Sequence, residues 1–315
     1  MARGVFTLLG TGSSGGVPRV GNDWGACDPT EPRNRRRRCS ALVQLTGDAG
    51  TTNVLIDTSP DLREQMLDAQ VSHLDAILYT HDHADQSHGI DDVRPYVIRA
   101  RKPLPVYMSE ETRETLTRRF AYCFEGKGGY PAILDLQDSL IAYQPVKVTG
   151  PGGDLTVLPL DMEHGRIRCL GFRIGSLAYC NDVNALPDET LNALEGLDTL
   201  VIDALRYTPH PTHAHLEQTL EWIAQIRPRL AVLTNLHVDM DYGTLARDLP
   251  NGVVPAYDGQ RKSGVSAGGS QTQQARNHNP DKAGARHGSV GCLRRSAARP
   301  TFRRPTAATY HRAGA

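Results

Sequence analysis

The sequence predicts an α+β fold in the form of an αββα sandwich, two sheets packed together with helices outside. Three observations lead there. Short apolar segments rich in β-formers come in runs with few helices between them. The strict strand–helix alternation of a doubly wound sheet is missing. The 315 residues are enough for one large domain with a sizeable core.

The first strands are read at 5–9, 41–45, 53–57 and 75–80, each bounded by Gly, Asp or Pro. Apolar residues at helical spacing follow over 110–124. The second half repeats the theme, with strands near 155–160, 169–174, 176–180, 198–202 and 230–234. Helices are read at 188–195 and 216–226, the last started by Thr212 or His213. From Gln260 the periodicity stops. Residues 1–259 are therefore expected to fold, and 260–315 to form a basic, disordered tail. So abrupt a change of composition is also what a shifted reading frame would give.

The formal net charge is zero, but unevenly spread. The tail carries eleven Lys or Arg against one acid, Asp281; removing these from totals of 35 and 35 leaves 24 basic and 34 acidic residues before it. A body near minus ten argues against binding long nucleic acid, whose affinity rests on neutralising phosphates. The tail itself is either a solvated segment or a weak tether for an acidic partner. No apolar run reaches about 18 residues and the N-terminus turns polar at once, so neither a membrane span nor a signal peptide is expected, and the chain reads as cytoplasmic. Six cysteines without CxxC spacing suit reduced thiols.

The chemistry concentrates in Thr80-His81-Asp82-His83-Ala84-Asp85, behind an apolar strand. On an extended segment His81 and His83 project to one side, so one cation can meet both rings, and Asp85 adds a carboxylate. Turn residues at a strand end are the bland alternative, but two His and two Asp in five positions make a poor turn. Further strand ends bring His164, Asp182, and the pair Asn235 and His237.

In that order these residues resemble the metallo-β-lactamase fold. Leu9-Gly10-Thr11-Gly12-Ser13-Ser14-Gly15-Gly16-Val17-Pro18, Leu55-Ile56-Asp57 and Pro211-Thr212-His213 are similar to its PhnP type, over about residues 5–259. Relatives of that type include a phosphodiesterase that opens cyclic ribose phosphates. The resemblance implies that His81, His83 and His164 hold a first metal, that Asp182 bridges towards a second, and that Asp85 belongs to the second. The family completes that second site with two histidines, where this chain has Gln86 and Asn235. Both departures fall on one metal. The second site is therefore expected to be either empty or to hold an oxygen-preferring cation such as Mn²⁺ through the two amide carbonyls, with His88 or His237 also in reach. A cysteine cluster for an extra structural zinc is reduced here to Cys27.

A divalent ion, Zn²⁺ or Mn²⁺, would generate hydroxide at neutral pH and neutralise charge on a phosphoryl oxygen. Asp85 is expected to orient the water or a second cation. His213 is assigned to the leaving oxygen, against the alternative of a helix-start residue bonded to backbone. The 10–16 loop lacks the Lys-Ser/Thr ending of a P-loop and reads as a rim from which Ser13 or Ser14 could donate to substrate. Arg35 to Arg38 could meet phosphate or be a solvated face. The leading expectation is a phosphodiesterase for a small cyclic or nucleotide-like ester. Hydrolysis of a thioester, lactone or β-lactam, and a non-catalytic nucleotide-binding protein, stand as alternatives. The expected partner is a small-molecule phosphate ester, with no membrane and no long nucleic acid, and a homodimer is left open.

Overall fold

The structure is a computed structural model and describes residues 3–265. The first sheet contains β1 (Arg3–Gly10), β2 (Ser40–Gly47), β3 (Gly50–Ile56), β4 (Ala76–Leu78), β5 (Leu104–Tyr107) and β6 (Leu134–Leu136). The second contains β7 (Val146–Gly150), β8 (Gly153–His164), β9 (Ile167–Ile174), β10 (Leu177–Cys180), β11 (Thr199–Asp203), β12 (Leu230–Thr234) and β13 (Val253–Pro255). A last strand, β14 (Arg261–Val265), returns to the first sheet and pairs antiparallel with β1. The expected boundary at 259/260 is thus corrected: Arg261–Val265 belong to the sheet, since β1 offers them an open edge. Residues 266–315 of the expected tail lie outside the described residues.

The two sheets are built alike. In the first, β1 to β3 run antiparallel and β3 to β6 parallel. In the second, β7 to β10 run antiparallel and β10 to β13 parallel. Tight hairpins join β2 to β3 and β7 through β10, whereas β1 reaches β2 by the long 11–39 connection; β8 and β9 close with His164 opposite Ile167.

Period two sorts the strand residues between layers. Phe6, Val43, Val54, Ile56 and Leu78 face inward against Val157, Phe172, Ile174, Tyr179, Val201 and Val232. Their alternates Leu42, Leu55 and Ile77 pack outward with Leu62, Val93, Val97 and Leu116. In the second sheet Ala178, Leu200, Ile202 and Leu233 pack outward with Leu216, Ile226 and Leu245. Strands covered on both faces read as continuous apolar runs, which is why they are visible in sequence. Each fully buried Leu, Ile or Phe adds about 1.5–3 kcal/mol.

The helices cover the outer faces: α1 (Leu62–Asp68), α2 (Ala84–Ser87), α3 (Arg94–Ala100), α4 (Glu110–Arg119), α5 (Ala121–Glu125), α6 (Asp188–Ala193), α7 (Leu216–Ile226) and α8 (Tyr242–Asp248). The helix expected over 110–124 breaks at Phe120, whose φ −123° and ψ 38° are not helical. Ser109 caps α4, its hydroxyl accepting from the Thr112 amide. The helix of 216–226 starts at Leu216 with His215 as its N-cap, so Thr212 and His213 are not its start. Among the described residues no helix is long and apolar enough to cross a membrane.

Candidate metal centre

Parallel strands in both sheets point their carboxyl ends to one edge of the sandwich, and the candidate residues sit there. Asp57 and His81 follow β3 and β4; Asp182, Asp203 and Asn235 follow or end β10, β11 and β12. Three of these turn sharply as their strand ends: Asp57, Asp182 and Asn235 have φ of 62°, 54° and 61°. Asp and Asn tolerate this left-handed region better than most residues, at a cost of order 1–3 kcal/mol that sites tend to carry. His164 closes the β8–β9 hairpin from the other side. The next residue, Gly165, has φ 65°, and a Cβ there would stand 2.5 Å from Thr212 Cγ2. That close approach lets the Thr212 carbonyl reach His164.

His81, His83 and His164 converge. Their ring centroids are 4.6, 5.2 and 4.9 Å apart, and one nitrogen of each lies within 4.8 Å of the others. His83 is the N-cap of α2 with φ −60° and ψ 155°, so its extended backbone keeps it on the side of His81. The tautomers follow from the neighbours. His164 Nδ1 must donate to the Thr212 carbonyl at 2.7 Å, leaving Nε2 with its lone pair towards His83 Nδ1 at 3.2 Å. Asp57 accepts from both the amide and hydroxyl of Thr80, at 2.8 and 2.9 Å, and Thr80 Oγ1 in turn stands 3.0 Å from His81 Nδ1. The hydroxyl gives its proton to the carboxylate and accepts from the ring. His81 Nε2 is then a buried acceptor without a hydrogen-bond partner.

Burial and the neighbouring imidazoles push His81 well below the ordinary histidine range, and burial with His213 lowers His164 to about 4. Neutral rings with free, converging lone pairs are what a divalent ion requires. The 3.4 Å approach of Asp182 Oδ2 to His81 Nε2 is accordingly not an ion pair between charged groups. The three histidines fit one ion, with Asp182 beside it; a second group, Asp182, Asp203 and His213, also brings one ligand atom each within 4.8 Å, but there His213 Nδ1 donates to Asp203 Oδ2 at 2.8 Å.

Around Asp182 the two amides present nitrogen rather than the carbonyl oxygen that the expectation of amide ligands requires. Gln86 Nε2 donates to Asp182 Oδ2 at 2.9 Å, and Asn235 Nδ2 donates to Asp182 Oδ1 at 2.6 Å. A carboxylate accepts only, so each amide turns its nitrogen rather than its carbonyl towards it. Asp85, half-buried, is 3.3 Å from the same Gln86 nitrogen.

His213 is brought to this centre and Asp203, not singled out in the sequence, holds it: His213 Nδ1 donates to Asp203 Oδ2 at 2.8 Å. Burial opposes the charged ring, but Asp203, with Asp182 and Asp85 beyond it, overrides burial and raises His213 to about 9. Burial raises both Asp203 and Asp182. The signal for Asp203 was present, since Thr199-Leu200-Val201-Ile202-Asp203 ends an apolar strand on a carboxylate as 53–57 does.

Outside this cluster opens a cavity of about 300 Å³, lined by Ser13, Ser14, Arg19, Arg206, His237 and, at its inner end, His213 and Asn235. Ser13, Ser14 and His237 stand where a substrate would contact them; Arg19, which touches His237 Nε2, and Arg206 were not foreseen. His88 is a correction: it caps the C-terminus of α2, is exposed, and packs edge-on to Phe120 with centroids 5.6 Å apart, away from the cavity lining. Of the Arg run, Arg35 is exposed over the Trp24 ring and the other three are committed elsewhere. Arg36 is buried beside Cys27 and Asn34, Arg37 pairs with Asp68 and Asp258, and Arg38 pairs with Asp61. Cys27, Cys39, Cys123, Cys169 and Cys180 are buried free thiols.

A family model for the beta-lactamase superfamily domain matches residues 52–235. A crystal structure described as a new diphosphatase from the PhnP family superposes with TM-score 0.75 at 34% identity, covering 84% of this chain and 98% of that one. Zinc-bound PqqB from Methylobacterium extorquens superposes with TM-score 0.64 at 16% identity, over 82% of this chain and 99% of its own, a likeness of fold alone. A Porphyromonas gingivalis protein named octanoyltransferase is 37% identical over 257 residues, 80% of this chain; the chain spans half the length of that relative.

Proposed function

Because the chain belongs to the beta-lactamase superfamily, as a member of its PhnP type, we propose that it hydrolyses a phosphorus–oxygen bond in a small phosphate diester or diphosphate. The observation that carries this reading is the cavity of about 300 Å³ that runs from Arg19 and Arg206 to His213. Its two guanidiniums and two serines suit an anionic substrate, and its size suits a small molecule rather than a polymer.

His81, His83 and His164, with Asp182 beside them, are the residues that would hold a divalent ion, which when bound supplies Lewis acidity and a water nucleophile at neutral pH. The Asp57–Thr80 pair fixes the His81 tautomer, and the Thr212 carbonyl fixes that of His164. Arg19, Arg206 and the serine hydroxyls bind and orient the phosphate. Asp203 keeps His213 protonated, and His213 gives its proton from Nε2 to the departing oxygen. Asp85, on the cluster's half-exposed side, orients the attacking water.

The name of the P. gingivalis relative favours a second reading, hydrolysis of an acyl thioester, although that protein is about twice the length matched. Purified protein supplied with Zn²⁺ or Mn²⁺ should be assayed on bis(p-nitrophenyl) phosphate, 2′,3′-cyclic nucleotides, nucleoside diphosphates and octanoyl thioesters. Turnover of phosphate substrates, lost in Arg206→Ala mainly through KM, is expected. Turnover confined to the thioester would replace the first reading by the second.

A further inference from the structure

We infer that this centre holds one divalent ion rather than two, because Gln86 and Asn235 stitch three carboxylates together by hydrogen bonds where a second ion would otherwise neutralise them. The inference rests on the metal reading of the three histidines.

Asp182 is wholly buried and each of its oxygens is taken by a different amide, Oδ2 by Gln86 Nε2 at 2.9 Å and Oδ1 by Asn235 Nδ2 at 2.6 Å. Each nitrogen has a second carboxylate in reach: Asp85 Oδ2 lies 3.3 Å from Gln86 Nε2, and Asp203 Oδ1 lies 3.3 Å from Asn235 Nδ2. A primary amide nitrogen carries two hydrogens and no lone pair for a metal. The two amide nitrogens thereby join Asp85, Asp182 and Asp203 in one row, with His213 Nδ1 also 3.1 Å from Asn235 Nδ2.

The orientation is the one that ionised carboxylates favour. Turning either amide over would set its carbonyl oxygen against a carboxylate oxygen, lone pair to lone pair, in a site where burial already disfavours charge. The price appears at the other end of Gln86, whose Oε1 is buried without a partner. The two bonds that Gln86 Nε2 gives to carboxylates offset that loss. Histidines at these positions would behave oppositely. Each would offer one lone pair to an ion and could not bridge two carboxylates. With the amides in place, the donor set on the Asp85 side does not fit a second cation.

The test is metal content and spectroscopy on the full chain loaded with Mn²⁺ and desalted. We expect about one Mn²⁺ per chain and the electron paramagnetic resonance spectrum of an isolated ion. In the double variant Gln86→His, Asn235→His we expect a second ion and an exchange-coupled spectrum. Two coupled ions in the wild-type chain would overturn the inference. A folded double variant that still takes one ion would overturn it as well, and if the variant does not fold the wild-type spectrum decides alone. A wild-type chain that takes no metal would instead remove the hydrolase reading, and this inference with it.

Discussion

His213 Nδ1 and Asp203 Oδ2 lie 2.8 Å apart, and this pair decides the protonation of the ring at the inner end of the cavity. Burial lowers the ring's affinity for a proton; the carboxylate raises it to about 9 from an ordinary 6.5. An imidazolium that persists to that pH can act as a general acid throughout the neutral range.

Asp203→Asn keeps the size of the side chain and removes its charge. With burial then unopposed by Asp203, the ring's pKa should drop towards or below 6.5. The alkaline limb of the pH–rate profile, expected near 9 in the wild-type protein, should move by about 2 pH units to the acid side. Turnover at pH 8 should fall about 10- to 30-fold. An unmoved limb with unchanged kcat would take His213 out of proton transfer.

Thr80→Val tests the link from Asp57 to His81. The substitution removes the hydroxyl that donates to Asp57 Oδ2 and accepts from His81 Nδ1, while keeping the Thr80 amide bond. Two buried polar groups lose a partner, at a cost of about 1–3 kcal/mol in denaturant unfolding of the metal-free protein. Metal affinity, read by chelator competition, should fall ~10- to 100-fold because the ring's orientation and tautomer are no longer held. Normal affinity in a destabilised variant would make the relay purely structural.

Removing the metal should matter to stability as well as turnover. Three imidazoles gathered around one point gain a common partner when the ion binds. With free ion at a hundredfold excess over Kd, binding adds about 3 kcal/mol. Exhaustive treatment with EDTA should abolish activity and lower Tm by several degrees, and Zn²⁺ or Mn²⁺ should restore both. A Tm indifferent to chelation would argue that the histidines hold no ion.

Asp258 gives a pH dependence away from the histidines. It accepts from Thr11 Oγ1, at 2.8 Å, and from the Arg37 amide and side chain, yet burial prevails and raises its carboxyl to about 6 from 3.8. The sign follows from proton uptake. Between about pH 4 and 6 the folded chain keeps a proton that the unfolded chain has released, so this group makes stability fall as pH rises through that window, by ~3 kcal/mol in all. Urea unfolding at pH 4.5 and 6.5 should show a smaller fall in Asp258→Asn than in wild type. Equal falls in the two proteins would mean that Asp258 titrates as an ordinary carboxylate.

Much of this molecule is written in short-range pattern. Strands covered on both faces are continuous apolar runs, so β1 to β4 and β8 to β12 show in the sequence, and α7 shows by its 3.6-residue spacing. The same holds for His81, His83, His164 and Asp182, each closing an apolar run. Segments of three to seven residues such as β6, β13, α1 and α8 carry too few residues to show a period. Leu104-Pro105-Val106-Tyr107 hides β5 behind a proline.

The sequence by itself determined the sandwich and the His81–His83 pair, which depend on residue type and on spacing along one strand; that His164 joins them, and that Gln86 and Asn235 stand where relatives have histidines, came from the family resemblance. Tertiary structure decided the rest. That Arg36 is buried while Arg19 lines a cavity, that His88 packs edge-on to Phe120, and that Asp203 is the partner of His213 depend on which elements meet. So does the direction of an amide. Whether Gln86 and Asn235 present oxygen or nitrogen is fixed by the carboxylates facing them, and those come from strands roughly 50 to 100 residues away in the chain.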